Sequence, residues 1–357
     1  MSLLTTKRSF LPATYKVAYD LCFTVHDVLA QLLVSGLKSG AFVARVPLDQ
    51  PGEADAFAAH DNLFEWLETS GRVQDRAKIL KTIVLPAILS DMLHCIYEAL
   101  QSSKKGKLSV SYILLRKPLQ ESMYVLESII IDELDFASKL ATNPLLLRPK
   151  NAGGLDGHTK RIKLVLDTIR EAERFDASYI AQLRYLKIDD GFDGVCNKAM
   201  HLFTEHDAIR TEILNINFIF SNYESKLSQW SYLYTRLPYL MIYILSLVEH
   251  ITHGILPTIP EYLEDISRRI TALVLLWGSN LPSGYETAQF ALLMTEAARH
   301  LEAQCASKGW RTPSKRDLHR MGYSGAIPSE SAAKVKERHA AFVQLAELDR
   351  RAFLKGR

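Results

Sequence analysis

The residues best able to do chemistry are concentrated between Gly191 and Phe220. Asn197 and His201 lie four residues apart there and would share one face of a helix. A histidine with an amide and a carboxylate nearby can act as a general base, or bind phosphate together with an arginine. A lone histidine is more often buried between helices and hydrogen-bonded to a carbonyl, so both interpretations stay open. Further polar residues follow within the segment: His206, Asp207, Arg210 and Glu212.

Arg116 is the second residue of interest, because it interrupts an apolar run at Ile113–Leu115. An arginine that enters an apolar environment needs an acidic or anionic partner, since an unpaired buried charge is very costly. Glu121, or an acid of the central segment, could be that partner. A structural ion pair and a catalytic arginine both fit this pattern. The predicted site residues are Arg116, Glu121, Asn197, His201 and Arg210.

Two pairs of residues have spacings that could hold a metal. Asp91 and His94 lie three apart in a predicted helix, and so do His250 and His253. Neither pair comes with a third ligand that the sequence can place, and a solvated helix face explains Asp91 and His94 equally well. The chain also carries no P-loop, dinucleotide-binding or G-x-S-x-G pattern. The sequence therefore predicts neither a metal site nor a cofactor.

The charge of the chain is balanced overall but not evenly distributed. A net charge of +3 arises from 43 basic and 40 acidic side chains, which gives no general attraction to nucleic acid or to anionic lipid. From Lys308 onward, however, 12 Lys and Arg face only 5 Asp and Glu. The region 308–357 is therefore the candidate nucleic-acid-binding surface, and a solvated terminal helix is the alternative.

Apolar periodicity predicts an all-α protein, an irregular bundle of long antiparallel helices. One short β element is expected near residues 211–220, where Asn, Ile and Phe alternate. Long helices are predicted at Tyr15–Leu37, Val73–Gln101, Val110–Leu140 and Glu224–His253, and a shorter one at Asp55–Glu68. The predicted organisation is a helical region 1–142, a linker 143–158, a helical region 159–307 that continues the same core, and a basic region 308–357.

Localisation follows from the cysteines and from the apolar runs. The four cysteines are far apart and form no C-x-x-C pair, so a reducing cytoplasm is expected. The most apolar run, Leu237–Val248, is shorter than the roughly 20 residues that span a bilayer. We expect it to be a buried core helix, kinked at Pro238, and we expect no membrane insertion. Met1–Pro12 lacks the apolar core of a signal peptide.

Two short stretches together resemble a known superfamily. They are Leu114-Leu-Arg-Lys-Pro-Leu-Gln-Glu and Asn197-Lys-Ala-Met-His-Leu-Phe-Thr. The pairing is similar to uncharacterised bacterial helical proteins grouped around the HEPN superfamily, in which a helix with an arginine and an acid packs near a later segment with a histidine. The resemblance covers roughly 78–251. HEPN ribonucleases are dimers whose Arg-x(4–6)-His motifs cleave RNA without a metal.

This chain departs from that motif, because no arginine is followed by a histidine at the required spacing. Arg311 and His319 come nearest, with seven residues between them. Only Arg116, Asn197 and His201 can be carried over from the resemblance. We therefore expect an intracellular interaction or regulatory protein that forms a homo-oligomer, linked by the resemblance to bacterial stress or phage defence. The alternative is a HEPN-like nuclease that acts on RNA.

Overall fold

The structure is a computed structural model that describes residues 9–187, 191–203, 211, 213–214, 223–253, 255, 258–282 and 284–355, with side chains as far as residue 345. All secondary structure in these residues is helical, which confirms the predicted all-α class. The short β element expected near 211–220 lies almost wholly outside the described residues. The α-helices are α1 (Lys16–Ser39), α2 (Glu53–Ala58), α3 (Leu63–Thr69), α4 (Val73–Lys104), α5 (Leu108–Lys117), α6 (Met123–Ile131), α7 (Glu133–Thr142), α8 (Gly154–Leu166), α9 (Ala177–Tyr185), α10 (Phe192–Ala199), α11 (Tyr223–His253), α12 (Pro260–Gly278), α13 (Ala288–Ser307), α14 (Lys315–Ser324) and α15 (Ala332–Lys355).

Helix α11 forms the centre of the fold. Every residue from Gln229 to Val248 is buried, and Pro238 lies inside the helix. A helix that is apolar on all sides must be surrounded by protein, so the expectation of a central apolar helix is confirmed. Several of its polar groups bind neighbouring elements: for example, the Trp230 indole N–H donates to the Ser103 carbonyl of α4 at 2.9 Å.

One continuous apolar core surrounds α11 and extends from Tyr15 to Ala297. α1 and α4 pack along it, and Tyr15 and Tyr19 both contact the ring of Tyr234. α12 packs against α1, α13 and α14, which brings the C-terminal helices onto the same body. α4 extends through Pro86 without a break, as the apolar stripe predicted.

Two predicted helices are interrupted in the structure. The predicted helix Val110–Leu140 is divided by a π-helical turn at Pro118–Ser122 and by a break at Asp132. Asp132 is extended, and its carboxylate accepts the amides of Leu134 and Asp135, which starts α7. Such side-chain capping ends one helix and begins another, so the single long helix was wrong. Likewise, Asp55–Glu68 forms two helices, α2 and α3.

The segment 143–158 is folded, whereas a flexible linker was predicted. Two 3₁₀ turns, Pro144–Leu147 and Pro149–Ala152, lead directly into α8. Leu147 is buried in the main core. An ideal Cβ at Gly157 would lie 1.7 Å from the Ala152 carbonyl oxygen, so only glycine allows this close approach.

A buried ion pair joins α9 to α6. The guanidinium of Arg184 donates to the carboxylate of Glu127, and both side chains are at most 1% exposed. Arg184 Nε also donates to the Leu119 carbonyl at 2.6 Å, and the Tyr243 hydroxyl donates to Glu127 Oε1 at 3.1 Å. Buried charges are tolerated when they are paired and hydrogen-bonded in this way.

His158 is buried beside this pair. Its ring stacks on Tyr185 with the two centroids 3.5 Å apart, and Tyr185 in turn accepts a hydrogen bond from Arg184 at 2.6 Å. Burial, followed by the positive charges of Arg184 and Arg161, lowers the pKa of His158 to about 4. The imidazole is therefore neutral in the folded protein at neutral pH.

Two described helices are long and apolar enough to cross a membrane. They are the segments Ala13–Ser39 and Val73–Lys104. Of the most apolar 18-residue stretch in each, 50% is buried inside the fold in the first segment and 39% in the second. Core helices of soluble proteins meet the same criterion, so the criterion alone is weak evidence for insertion. Leu237–Val248, the run singled out from the sequence, lies within the buried part of α11.

Acidification is expected to destabilise the folded state through His158. The ordinary pKa of histidine is 6.5 and the folded pKa is about 4, so between these values only the unfolded chain takes up the proton. Stability from the neutral imidazole is complete above about pH 6.5 and is lost as the pH falls towards about 4, by ~3 kcal/mol at most. Urea unfolding at a series of pH values measures this loss.

His158→Phe is the control, because it keeps a ring on Tyr185 but cannot take up a proton. Its free energy of unfolding should vary less with pH between about 6.5 and 4 than that of the natural chain. Equal slopes for the two proteins would assign the pH dependence to other groups.

Candidate functional site

A π-helical turn organises the surroundings of Arg116. Pro118 has no N–H and follows α5 directly, and the N–H of Met123 donates to the Pro118 carbonyl, five residues back. The wider turn buries Gln120 and leaves Glu121 exposed. Single π-helical turns inside α-helices occur frequently at functional sites.

Arg116 is held by two of the predicted site residues. Its Nε donates to Asn197 Oδ1 at 2.6 Å, and its Nη1 lies 3.3 Å from Glu121 Oε1. The structure thus brings together Arg116, Glu121 and Asn197, which the sequence could only propose as a set. The side chains of Arg116 and Glu121 are 34% and 50% exposed, so their ion pair faces solvent and contributes little to stability.

Two residues that sequence reasoning missed hold this group from inside. Asp193 Oδ1 accepts from the amide of Asn197 and from the amide of Gln120, both at 2.6 Å. Gln120 also donates to the Arg184 carbonyl at 3.1 Å, which connects the site to the residue of the buried ion pair. The signal was present in the spacing, because Asp193 and Asn197 lie four apart on α10, as do Arg116 and Gln120 in the sequence.

These hydrogen bonds fix the register of α5 and its π-helical turn against α10. Gln120 meets Asp193, and Arg116 meets Asn197, so four residues forward on α10 correspond to four residues back on α5. The two elements therefore run antiparallel. Extending the same register by three residues pairs Ile113 with Met200, the C-cap of α10.

His201 does not share a helical face with Asn197. α10 ends at Ala199 with Met200 as its C-cap, and the His201 N–H donates to the Lys198 carbonyl in a turn. The side chain of His201 is exposed, and the hydrogen bonds of Arg116 go to Asn197 and Glu121 instead. Arg210, the fifth predicted site residue, lies outside the described residues.

Apolar side chains are exposed on the two elements that carry Arg116 and its partner Asn197. Met200, Leu202 and Phe203 are 51%, 55% and 67% exposed where the chain leaves α10. Val110 and Ile113 are exposed on α5, one turn apart. We call these five residues the α5–α10 surface. Its neighbours carry both signs of charge, since Lys117 donates to Asp91 at 2.8 Å beside the Arg116–Glu121 pair.

The two pairs of residues that were considered as metal ligands have different surroundings in the structure. Asp91 accepts from Lys117, so its carboxylate is already paired. Burial and the neighbouring His253 lower the pKa of His250, while burial raises the pKa of Glu249 to about 7. Within the described part of the chain, no group of three or more His, Cys, Asp or Glu side chains could hold a metal ion.

Several basic residues of the region 308–357 bind within the protein. Arg338 pairs with Asp265 at 2.5 Å and with Glu330 at 3.1 Å, which fastens the start of α15 to α12. Lys308 and Arg311 pair with Glu264 and Asp317. The side chains that remain exposed, with no ion pair to any described residue, include Lys315, Arg316, Lys334 and Lys336.

Comparison with protein-family models, with curated proteins and with solved structures finds no match to this chain.

Replacing Asp193 should cost more stability than replacing Arg116. Asp193→Ala leaves the buried amide of Gln120 with one acceptor fewer, and an unsatisfied buried donor costs about 1–3 kcal/mol. Arg116→Ala removes a solvent-facing ion pair, for which we expect less than about 1 kcal/mol. Urea unfolding of both variants measures the two losses. A larger loss in Arg116→Ala would show that the arginine, and not Asp193, holds the group together.

Proposed function

We propose that this chain is a helical interaction protein that pairs with a second copy of itself through the α5–α10 surface. The observation that carries the proposal is the exposed run Met200, Leu202 and Phe203, which directly follows the helix whose Asn197 binds Arg116. Interfaces typically place apolar residues at the centre and polar residues at the rim. Here Arg116, Glu121, Lys117 and Asp91 would form such a rim.

A second copy fits this surface because the rim carries both signs of charge. In a twofold dimer the same patch contacts itself, so each basic group must meet an acidic group of the partner. A patch with only one sign would repel its copy. The side chains of Arg116 and Glu121, and of Lys117 and Asp91, supply equal numbers of each sign.

The regulatory role is inferred from what the site offers. The guanidinium of Arg116 is engaged by Asn197 and Glu121, and the Asp193 carboxylate accepts two amides, so the hydrogen-bonding groups bind each other. Such a group shapes a surface, whereas general acid–base catalysis needs a group placed to exchange a proton. The intracellular setting and the link to bacterial stress or phage defence come from the composition and the HEPN resemblance.

Sedimentation equilibrium tests the proposed dimer. The natural chain should dimerise, and Phe203→Asp or Ile113→Asp should raise the dissociation constant at least about tenfold, which corresponds to ~1.4 kcal/mol. Because both side chains are exposed, the far-UV circular dichroism should not change.

Leu164→Asp on α8 is the matched control, since Leu164 is a similarly exposed apolar residue outside the α5–α10 surface. It should dimerise like the natural chain. A natural chain that stays monomeric at all accessible concentrations would refute the proposal, as would equal weakening by Leu164→Asp.

A nuclease that acts on RNA is the second candidate function. It is favoured by the solvent-facing position of Arg116 and by the exposed basic residues of α14 and α15. Deleting 308–357 would not test it cleanly, because Met321 and Val335 are buried and Arg338 binds Asp265. Charge reversal on the surface leaves these contacts intact.

RNA binding should weaken in the double variant Lys315→Glu/Arg316→Glu if the basic region contacts phosphates. The logarithm of affinity should then fall with the logarithm of salt concentration, with a slope of about −0.7 per phosphate neutralised on a single strand. The control is Lys160→Glu/Lys163→Glu, an exposed basic pair on α8. Metal-free cleavage that is lost in Arg116→Ala and His201→Ala would favour the nuclease, whereas salt-independent or absent RNA binding would exclude this contact.

A further inference from the structure

A cleft of about 190 Å³ lies between α1 and α12. One row of its side chains comes from α1, with Thr24, Asp27 and Gln31 at successive turns. The opposite row comes from α12, with Tyr262 and Arg269 two turns apart. The two rows face each other, so the cleft is built by two long helices and not by loops.

Arg269 has no ion pair with any residue that the structure describes. Its Nε is buried and makes no hydrogen bond there. The nearest acid on the same helix, Asp265, is already taken by Arg268 and by Arg338. The Nε atoms of Arg76, Arg161, Arg174 and Arg268 are likewise without a hydrogen bond, but each of those guanidiniums has an ion pair or hydrogen bond at another nitrogen. An unsatisfied buried N–H is costly, and for Arg269, which lines a cleft, a missing ligand is one explanation for it.

Gly325 leaves room for the aliphatic stem of Arg269, which a larger side chain at that position would crowd. An ideal Cβ there would lie 3.2 Å from Arg269 Cδ, and Gly325 has a φ of +68°. Its carbonyl is fixed by Arg268 at 2.9 Å and by Arg338 at 2.6 Å. Arg269 thus passes close to the backbone of Gly325 and lines the cleft.

The other polar groups of the cleft leave acceptors and donors for a ligand. Gln31 Nε2 donates to Ser35 at 3.1 Å, which leaves its amide oxygen. The Tyr262 hydroxyl makes no hydrogen bond to the described residues. Asp27 accepts from His26 at 3.0 Å, and 69% of its side chain is exposed. Asp27 and Arg269 line the same cleft, yet no ion pair joins them.

We propose that this cleft binds a small zwitterion of amino-acid type. The guanidinium of Arg269 would take the carboxylate, because its planar fork matches two carboxylate oxygens. Asp27 would take the ammonium group. A single guanidinium opposite an aspartate disfavours a phosphate dianion. The volume of the cleft lies below the ~300 Å³ at which ligand pockets usually begin, so the ligand must be small.

Isothermal titration of the natural chain with L-alanine, L-glutamine, L-leucine, sodium acetate and inorganic phosphate, each alone, tests the proposal. At least one amino acid should bind saturably and more tightly than acetate or phosphate. Arg269→Gln should weaken that binding at least about tenfold. Arg299→Gln should leave it unchanged, because Arg299 is exposed on α13 and paired with Glu296. Binding by none of the amino acids, or by phosphate alone, overturns the proposal.

Two further variants separate a binding role from a structural one. Without ligand, Arg269→Met should leave the thermal midpoint unchanged or raise it, because it removes a desolvated donor that has no partner. A lowered midpoint would show that Arg269 serves the fold and would overturn the proposal. The side chain of Asp27 is exposed, so Asp27→Asn should not disturb the fold. It should weaken amino-acid binding but not acetate binding. Equal effects on both would overturn the assignment of the ammonium group.

Discussion

The buried ion pair between Arg184 and Glu127 is the interaction on which the rest of this structure depends. Removing either partner would strand a charge in the core, which typically costs 3–5 kcal/mol. The pair also draws in the Leu119 carbonyl and the Tyr243 hydroxyl, so it joins α9, α6 and the central helix α11 at one point. Helices that are otherwise held by non-directional apolar contacts thereby acquire a fixed relative position.

The candidate site is an outward extension of that point. Gln120 donates both to the carbonyl of Arg184 and to Asp193, and Asp193 accepts from Asn197, which accepts from Arg116. The series runs from fully buried groups to a guanidinium that faces solvent. Because each step is a hydrogen bond between neighbouring elements, the position of Arg116 at the surface is set from the core.

Apolar periodicity predicted most of the fold, and its failures have a common cause. α1, α4 and α11 were predicted within a few residues, because long apolar stripes outweigh local detail. The predicted helix Val110–Leu140 failed where a proline and a capping aspartate acted locally. In the segment 143–158, prolines and glycines suggested a linker, whereas they form turns that pack against the core.

The candidate site was predicted in part. An arginine in an apolar run correctly indicated a partnered charge at Arg116, and the same reasoning applied to Glu127, between Leu126 and Ile129, would have found the buried pair. Asp193 and Gln120 were missed because their contacts depend on the register of two distant helices. Asn197 and His201 were expected to share one face of a helix, and they do not, because α10 ends between them.

The π-helical turn at Pro118–Ser122 has a consequence for how the chain can change. Each residue of an α-helix advances the side chains by about 100°, so one residue more or fewer rotates everything that follows by that angle. Arg116 precedes the turn and must point towards Asn197 on α10, whereas Glu127 follows the turn and must point towards Arg184 on α9. An insertion or deletion between them would turn Glu127 away from Arg184. Natural variants should therefore preserve the length of this stretch more strictly than its composition.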